Sequence, residues 1–274
     1  MINIPIFKYE DIDINYFKRG KGEPLVLLGG WGQTMGTWRL LIPFFKRKMM
    51  VITLDQRGVG KSSSPNYPYT MDMFVDETNE LLNFLGIRER IHLLGMSMGG
   101  MTAQHFTLKY SHRVKTLILL GTSAFIQEEH EPLFKEYKEI MNELNPEDGF
   151  KRICKTLFSD SFLKRLDQDK ILKDAVYEEL MVKDRTKWQT YVNQSTAIRN
   201  HDTRSLLHKI AQPTLILHGT TDKQVPFSHA KLLHEKIPHS KFIRLDGLGH
   251  GSLLVEDFER VNNLIWDFIK ENIN

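Results

Sequence analysis

The sequence predicts an α/β fold built on a mostly parallel sheet with helices on both faces. Three observations carry that prediction. Six short runs, PLVLLGG (24–30), MVITLD (50–55), RIHLLGMS (90–97), KTLILLG (115–121), PTLILHG (213–219) and KFIRLDG (241–247), are nearly continuous in apolarity and bounded by turn residues, as strands buried on both faces are. Stretches with helical spacing separate several of them, and strand–helix alternation joined by right-handed crossovers makes neighbouring strands parallel. The composition, 274 residues of which 41% are hydrophobic and 26% charged, suits a chain able to bury a large core.

Taken in order, residues 1–20 depart from the pattern: Ile12, Ile14 and Tyr16 alternate with polar neighbours and predict an antiparallel hairpin at the sheet edge. The runs at 24–30 and 50–55 follow as buried strands. Met73, Leu81, Leu82 and Leu85 share a helical face that ends at Gly86, a residue suited to the left-handed cap position. The run at 90–97 leads into small residues and then MTAQHFTLKY, a helix-compatible stretch. After the run at 115–121 the alternation stops, and FKEYKEIMNEL, FKRICKTLF, DAVYEELM and TKWQTYVNQSTAI read as helices with no convincing strand among them. Sheet-type segments resume at Pro213 with unchanged character. Residues 122–212 are therefore expected to form a helical cap inserted into a core of residues 1–121 and 213–274. Leu254, Phe258, Val261, Ile265 and Phe268 fall on one helical face and predict a single closing helix packed on the sheet.

Several function classes are excluded at this level. The 37 Lys and Arg are interspersed with the 34 Asp and Glu, leaving a net charge of +3 and no basic tract, so a nucleic-acid partner is not expected. The first twenty residues carry charges where a secretory signal needs an apolar stretch, and no segment approaches the roughly 18 uninterrupted apolar residues of a membrane span. A soluble, cytoplasmic protein with no membrane partner is the expectation. The single cysteine, Cys154, removes an internal disulfide framework and any Cys-rich zinc module. Paired His or Cys ligand spacings in a suitable setting are also missing, so neither metal nor cofactor is implied.

The motif that carries chemistry is Gly95-Met96-Ser97-Met98-Gly99, at the end of a strand run and the start of a helical stretch. This is a G-x-S-x-G nucleophile elbow in its required strand–turn–helix setting. A serine on so tight a turn needs neighbours without bulk, and a helix N-terminus beside it supplies backbone N–H groups. Serine is a poor nucleophile at neutral pH, so the reading requires a histidine base and a carboxylate to orient it. Among eleven histidines, His250 follows the last strand run and precedes the closing helix, where its side chain can project over the C-terminal edge of the sheet. His218 lies within or at the end of its strand and is expected to be structural. The others sit in predicted elements or among charged neighbours. Asp222 lies in the loop after PTLILHG, again at a strand's C-terminal end, where open α/β sheets place ligand chemistry. The order Ser97, Asp222, His250 is the order expected of α/β hydrolases.

With these residues in place the chain resembles the α/β-hydrolase superfamily, in the capped branch that includes carboxylesterases and enol-lactonases, over essentially its whole length. Asp55-Gln56-Arg57-Gly58-Val59-Gly60-Lys61-Ser62 is similar to that superfamily's D-x-R-G-x-G-x-S turn, which gives Asp55 and Arg57 a loop-shaping role. A P-loop reading of GKS fails because G-x-x-x-x-G-K needs glycine where Asp55 stands. The resemblance implies an eight-stranded sheet, with the cap inserted before the last two strands. It also implies an oxyanion hole from the backbone N–H groups of Trp31 and Met98. Many relatives have His-Gly where this chain has Gly29-Gly30, so that histidine's hydrogen bonds are absent and a looser loop is expected.

Substrate choice is expected to lie with the cap, whose Phe125, Phe134, Tyr137, Phe158, Trp188 and Tyr191 can line an apolar pocket, together with Trp31. The expected activity is hydrolysis of a small carboxylic ester or lactone through an acyl-enzyme. Carbon–carbon bond hydrolysis, peroxide chemistry on the same triad, and a slow-turnover small-molecule receptor of the same fold remain open at this stage.

Overall fold

The structure, a computed structural model, describes residues 5–126, 130–182 and 186–273. Its strands are β1 (Ile6–Tyr9), β2 (Ile12–Arg19), β3 (Pro24–Leu28), β4 (Met50–Leu54), β5 (Ile91–Met96), β6 (Val114–Leu120), β7 (Thr214–Gly219) and β8 (Ser240–Leu245). They form one sheet in the order β1-β2-β4-β3-β5-β6-β7-β8. β1 and β2 make the expected antiparallel hairpin, β2 pairs antiparallel with β4, and the remaining pairs are parallel.

The continuous apolarity of the strand runs has a direct structural cause. Val26, Leu28, Leu93, Leu117 and Leu119 face one core cluster, while Leu25, Leu27, Leu94, Ile118 and Leu120 face the other. A strand covered on both sides has no solvent face on which to place polar residues. One cluster is closed by α2 (Met71–Phe84), α3 (Met98–Lys109) and α9 (Phe227–Lys236), which contribute Leu82, Phe106 and Leu233. The other is closed by α1 (Ile42–Phe45), α10 (Ser252–Val255) and α11 (Phe258–Lys270), with Phe45, Leu253 and Ile265. Each such side chain contributes roughly 1.5–3 kcal/mol by leaving water. β8 lies at the sheet edge and is half-exposed, with Lys241 and Arg244 outward, a charge pattern that discourages pairing with another strand.

Local signals explain the helix ends. α2 starts at Thr70, whose hydroxyl accepts from Met73 N–H, and stops at Gly86, with φ +69°. There Ile87 N–H donates to Leu82 O and Gly86 N–H to Asn83 O, the paired bonds of a left-handed helix stop. The predicted single closing helix is instead two, α10 and α11, separated by Glu256 and Asp257. The apolar stripe continues across the break, but Glu256 is held aside by Ser159, whose hydroxyl donates to its carboxylate at 2.8 Å.

Between β6 and β7 the chain forms α4 (Glu131–Asn142), α5 (Pro146–Leu157), α6 (Asp160–Gln168), α7 (Lys170–Tyr177), a π-helical turn (Glu178–Val182) and α8 (Trp188–Arg199). Their inner faces make a cluster of their own, with Ile140, Phe150, Ile153, Phe162 and Val176. Asp55 and Arg57 tie loops together as expected. The Asp55 carboxylate accepts from Asn15 Nδ2, Met35 N–H and Lys61 N–H, and Arg57 pairs with buried Glu77 and donates to Tyr67 Oη. Among the described residues no helix is long and apolar enough to cross a membrane.

Candidate active site

Ser97 is the single residue between β5 and α3, with φ +53° and ψ −122°, a region that residues with a Cβ seldom occupy. Its neighbours show what sustains that turn. A Cβ on Gly95 would run into the carbonyl of Gly99, one on Gly99 into the carbonyl of Leu28, and one on Gly100 into the side chain of Thr122. Three residues without side chains thus let β3, β5 and α3 converge. Ser97 N–H donates to Leu120 O at 3.0 Å, and Ser97 O accepts from Gly100 N–H, Met101 N–H and Thr122 Oγ1, the last at 2.7 Å. The backbone is pinned from two sides while the side chain lines a cavity at the N-terminus of α3.

Asp222 and His250, 28 residues apart in sequence, meet below that cavity. The Nδ1 atom of His250 is 2.7 Å from Asp222 Oδ2, and both side chains are buried. Asp222 Oδ1 accepts from the backbone N–H groups of Gln224 and Val225 at 2.9 and 2.8 Å. Burial pushes the carboxyl up, but the charge and hydrogen bond of His250, with the hydrogen bond from Val225 N–H, outweigh it and hold Asp222 below the usual carboxylate range. An ionised carboxylate can only accept a hydrogen bond, so it favours the tautomer with the proton on Nδ1, in which Nε2 is the acceptor. His218 Nε2 donates to Val225 O at 2.9 Å, and burial lowers its pKa, so it stays neutral and structural, as expected. Gly121, with φ +52°, packs beneath the pair, where a Cβ would lie 3.4 Å from His250 Nδ1 and 3.5 Å from Asp222 Oδ2.

Trp31 and Met98 line the same cavity as Ser97 and His250. Met98 is the first residue of α3, and a helix leaves the N–H groups of its first turn without intrahelical partners. The loop holding Trp31 is not loose, contrary to the expectation drawn from Gly29. Gly30 N–H donates to Gln33 Oε1 and Gly32 N–H to Gln194 Oε1, each at 2.8 Å, and Gly32 O accepts from Thr186 Oγ1 at 2.7 Å. Two glutamines and a threonine hold the loop on either side of Trp31.

The cavity, about 180 Å³ in volume, runs from Ser97 into the helices that follow β6. Phe134, Tyr137, Phe158 and Tyr191 line it, with Met101, Ile140, Leu157, Val176 and Met181. Phe125 and Trp188 do not. Phe125 turns toward the sheet cluster, where the His229 ring packs tilted against it and the Arg204 guanidinium lies over its face, and Trp188 stacks on the Tyr191 ring. Polar groups interrupt the apolar wall, Gln224 among them: its Nε2 donates to Tyr137 Oη at 3.0 Å and to Thr156 Oγ1 at 3.1 Å. Burial pushes the Tyr137 phenol up to about 12, so it stays protonated at neutral pH. Among the described residues no group of three or more His, Cys, Asp or Glu is arranged to hold a metal ion.

Residues 23–257 match the family model described as the alpha/beta hydrolase fold. The chain belongs to the α/β-hydrolase family. This α/β hydrolase is 28% identical over 256 residues to the 2-hydroxy-6-oxo-6-(2'-aminophenyl)hexa-2,4-dienoic acid hydrolase of Metapseudomonas resinovorans, covering 90% of this chain and 85% of that one. It is 26% identical over 249 residues to 3-oxoadipate enol-lactonase 2 of Acinetobacter baylyi, covering 86% and 88%. A hydrolase from Pseudomonas aeruginosa PA01 superposes with a TM-score of 0.85 at 26% identity, over 98% of each chain.

Several contacts of the α/β hydrolase's site carry no signal in the sequence. Thr122 beneath Ser97, Gln224 between Tyr137 and Thr156, and Gln194 on the Trp31 loop act across 25, 68 to 87, and 162 residues. Gln33 is the exception: it lies three residues from the glycine it holds, and a polar side chain after a Gly-rich turn is a readable sign of local capping.

Proposed function

We propose that this α/β hydrolase cleaves a small carboxylic ester or lactone with an apolar arm, using Ser97 as nucleophile, His250 as base and Asp222 as its orienting acid. The single observation that carries the proposal is the 2.7 Å Asp222–His250 contact beside a cavity that Ser97 also lines. Ser97 Oγ attacks the carbonyl carbon as His250 Nε2 takes the hydroxyl proton. The developing oxyanion is met by the N–H groups of Trp31 and Met98. Collapse re-forms the carbonyl and breaks the bond from the acyl carbon to the alcohol oxygen, His250 gives its proton to that leaving oxygen, and water repeats the sequence to release the acid and restore Ser97. Residues 122–212 serve as the cap that shapes the cavity. Its size supports a short acyl or single-ring group, since about 150 Å³ of apolar space accommodates benzene.

Carbon–carbon bond hydrolysis is the second reading, supported by the M. resinovorans relative, whose name describes a hydrolase of an oxo-dienoic acid. A panel of short p-nitrophenyl esters, a lactone and a vinylogous 1,5-diketone acid separates the two by relative kcat/KM. Ser97→Ala is expected to remain folded and lose activity by a factor on the order of 10⁴–10⁶, with loss of fluorophosphonate labelling. A folded Ser97→Ala variant with near-native turnover would remove Ser97 from the role of nucleophile.

A further inference from the structure

The loop that carries Trp31 is soft by composition. Gly30 precedes Trp31 and Gly32 follows it with φ +68°, so local sterics do little to fix the peptide planes on either side. Gln33 N–H donates to Gly30 O at 3.1 Å and holds the peptide before Trp31, while the peptide after it is held from α8, more than 150 residues away. Trp31 Nε1 donates to Tyr191 O at 3.0 Å, the Tyr191 ring covers Gly32, and Gln194 Oε1 accepts from Gly32 N–H at 2.8 Å. Gln194 is fully buried, and its other end is also engaged: Nε2 donates to Arg57 O at 3.2 Å. That second bond determines which way the amide faces. With Nε2 committed to Arg57, Oε1 can only be presented to the loop.

We propose that Gln194 is a positioning residue of the oxyanion loop, which holds the peptide on the far side of Trp31 so that the Trp31 N–H stays aimed at the reacting carbonyl while α8 is docked on the core. The proposal rests on the serine-hydrolase reading above and adds to it a role for the cap beyond shaping the pocket. Gln194 does not line the cavity, and its hydrogen bonds go to Gly32 and Arg57. It acts through the Gly32 peptide, and its loss is felt where negative charge develops rather than where substrate binds.

Four forms of the full chain test this: wild type, Gln194→Met, Thr190→Val and Ser97→Ala. Thr190 is the control, because it is also buried on α8 and donates to the core at Gly58 O (2.8 Å) without touching the Trp31 loop. The measurements are kcat and KM for p-nitrophenyl butyrate, the second-order rate of fluorophosphonate labelling, and thermal unfolding. Gln194→Met is expected to lower kcat and the labelling rate together by about 10- to 100-fold with KM within about 2-fold, somewhat less than loss of an oxyanion donor outright. Thr190→Val is expected to lower the unfolding temperature while both rates stay within about 2-fold. If Gln194→Met does not fold, Gln194→Asn, whose amide is one carbon too short to reach both partners, is expected to show the same split. Rates in the Gln194 variant within 2-fold of wild type, a loss confined to KM, or an equal loss in Thr190→Val would each overturn the proposal. A Ser97→Ala form as active as wild type would instead overturn the serine-hydrolase reading, a result separable from any behaviour of Gln194.

Discussion

The two oxygens of Asp222 have separate duties: Oδ2 faces His250 Nδ1 at 2.7 Å, and Oδ1 accepts from Gln224 and Val225 N–H. In Asp222→Asn, those two backbone donors claim the amide oxygen. The amide NH2 is then turned to His250 Nδ1, which must become an acceptor and place its proton on Nε2, the wrong tautomer for a base. A fall in kcat on the order of 10⁴ with the fold intact is expected. Steady-state kinetics alongside circular dichroism checks it, and a variant within tenfold of wild type would move the acid elsewhere.

Cavity volume sets a second expectation. With about 180 Å³ available and Met181 among the lining residues, kcat/KM for p-nitrophenyl esters should peak at short acyl chains and fall steeply beyond about six carbons. Met181→Ala removes three heavy atoms from the wall and should move the optimum to longer chains by about two carbons. An unchanged profile in that variant would mean that the acyl arm does not enter the part of the cavity next to Met181.

Acid should destabilise the fold early. Burial lowers the pKa of His92, His105 and His218 and brings His201 down to about 3. A histidine whose native pKa lies below its unfolded value takes up a proton on unfolding, so stability rises with pH between the two values. The window therefore runs from about 3 to about 6.5, the ordinary histidine value. For His201 alone, moving from pH 7 to 5.5 costs about 1 kcal/mol. Urea unfolding at those two pH values should show the loss. Equal stability at both would contradict the neutral, buried assignment of these rings.

How far the site is legible in the sequence depends on how local its causes are. The elbow is readable because Gly95, Gly99 and Gly100 stand at fixed offsets from Ser97, even though Gly99 makes room for the Leu28 carbonyl and Gly100 for Thr122, and Asp222 and His250 are readable because each stands in a loop directly after a strand. Phe125 and Trp188 mislead for the opposite reason. Which way an aromatic between β6 and β7 turns is decided by partners such as Arg204 and Tyr191, and its position in a pattern does not reveal them. The stripe from Leu254 to Phe268 misleads differently, since its apolar spacing runs unchanged across the break at Glu256 and Asp257.

The loop carrying His250 leans on α5 through main-chain atoms. Gly251 N–H donates to Leu157 O at 2.7 Å, and a Cβ on Gly249 would crowd that same carbonyl and Ser159 N. Such a joint bears on chimeras. A graft that replaced the residues between β6 and β7 with those of another hydrolase would have to return a carbonyl to Leu157's place with sub-ångström fidelity, or the imidazole would be left on an unsupported loop. Retargeting by side-chain exchange at inward positions, such as Ile140, Val176 or Met181, leaves that joint intact and is the more economical route to altered selectivity.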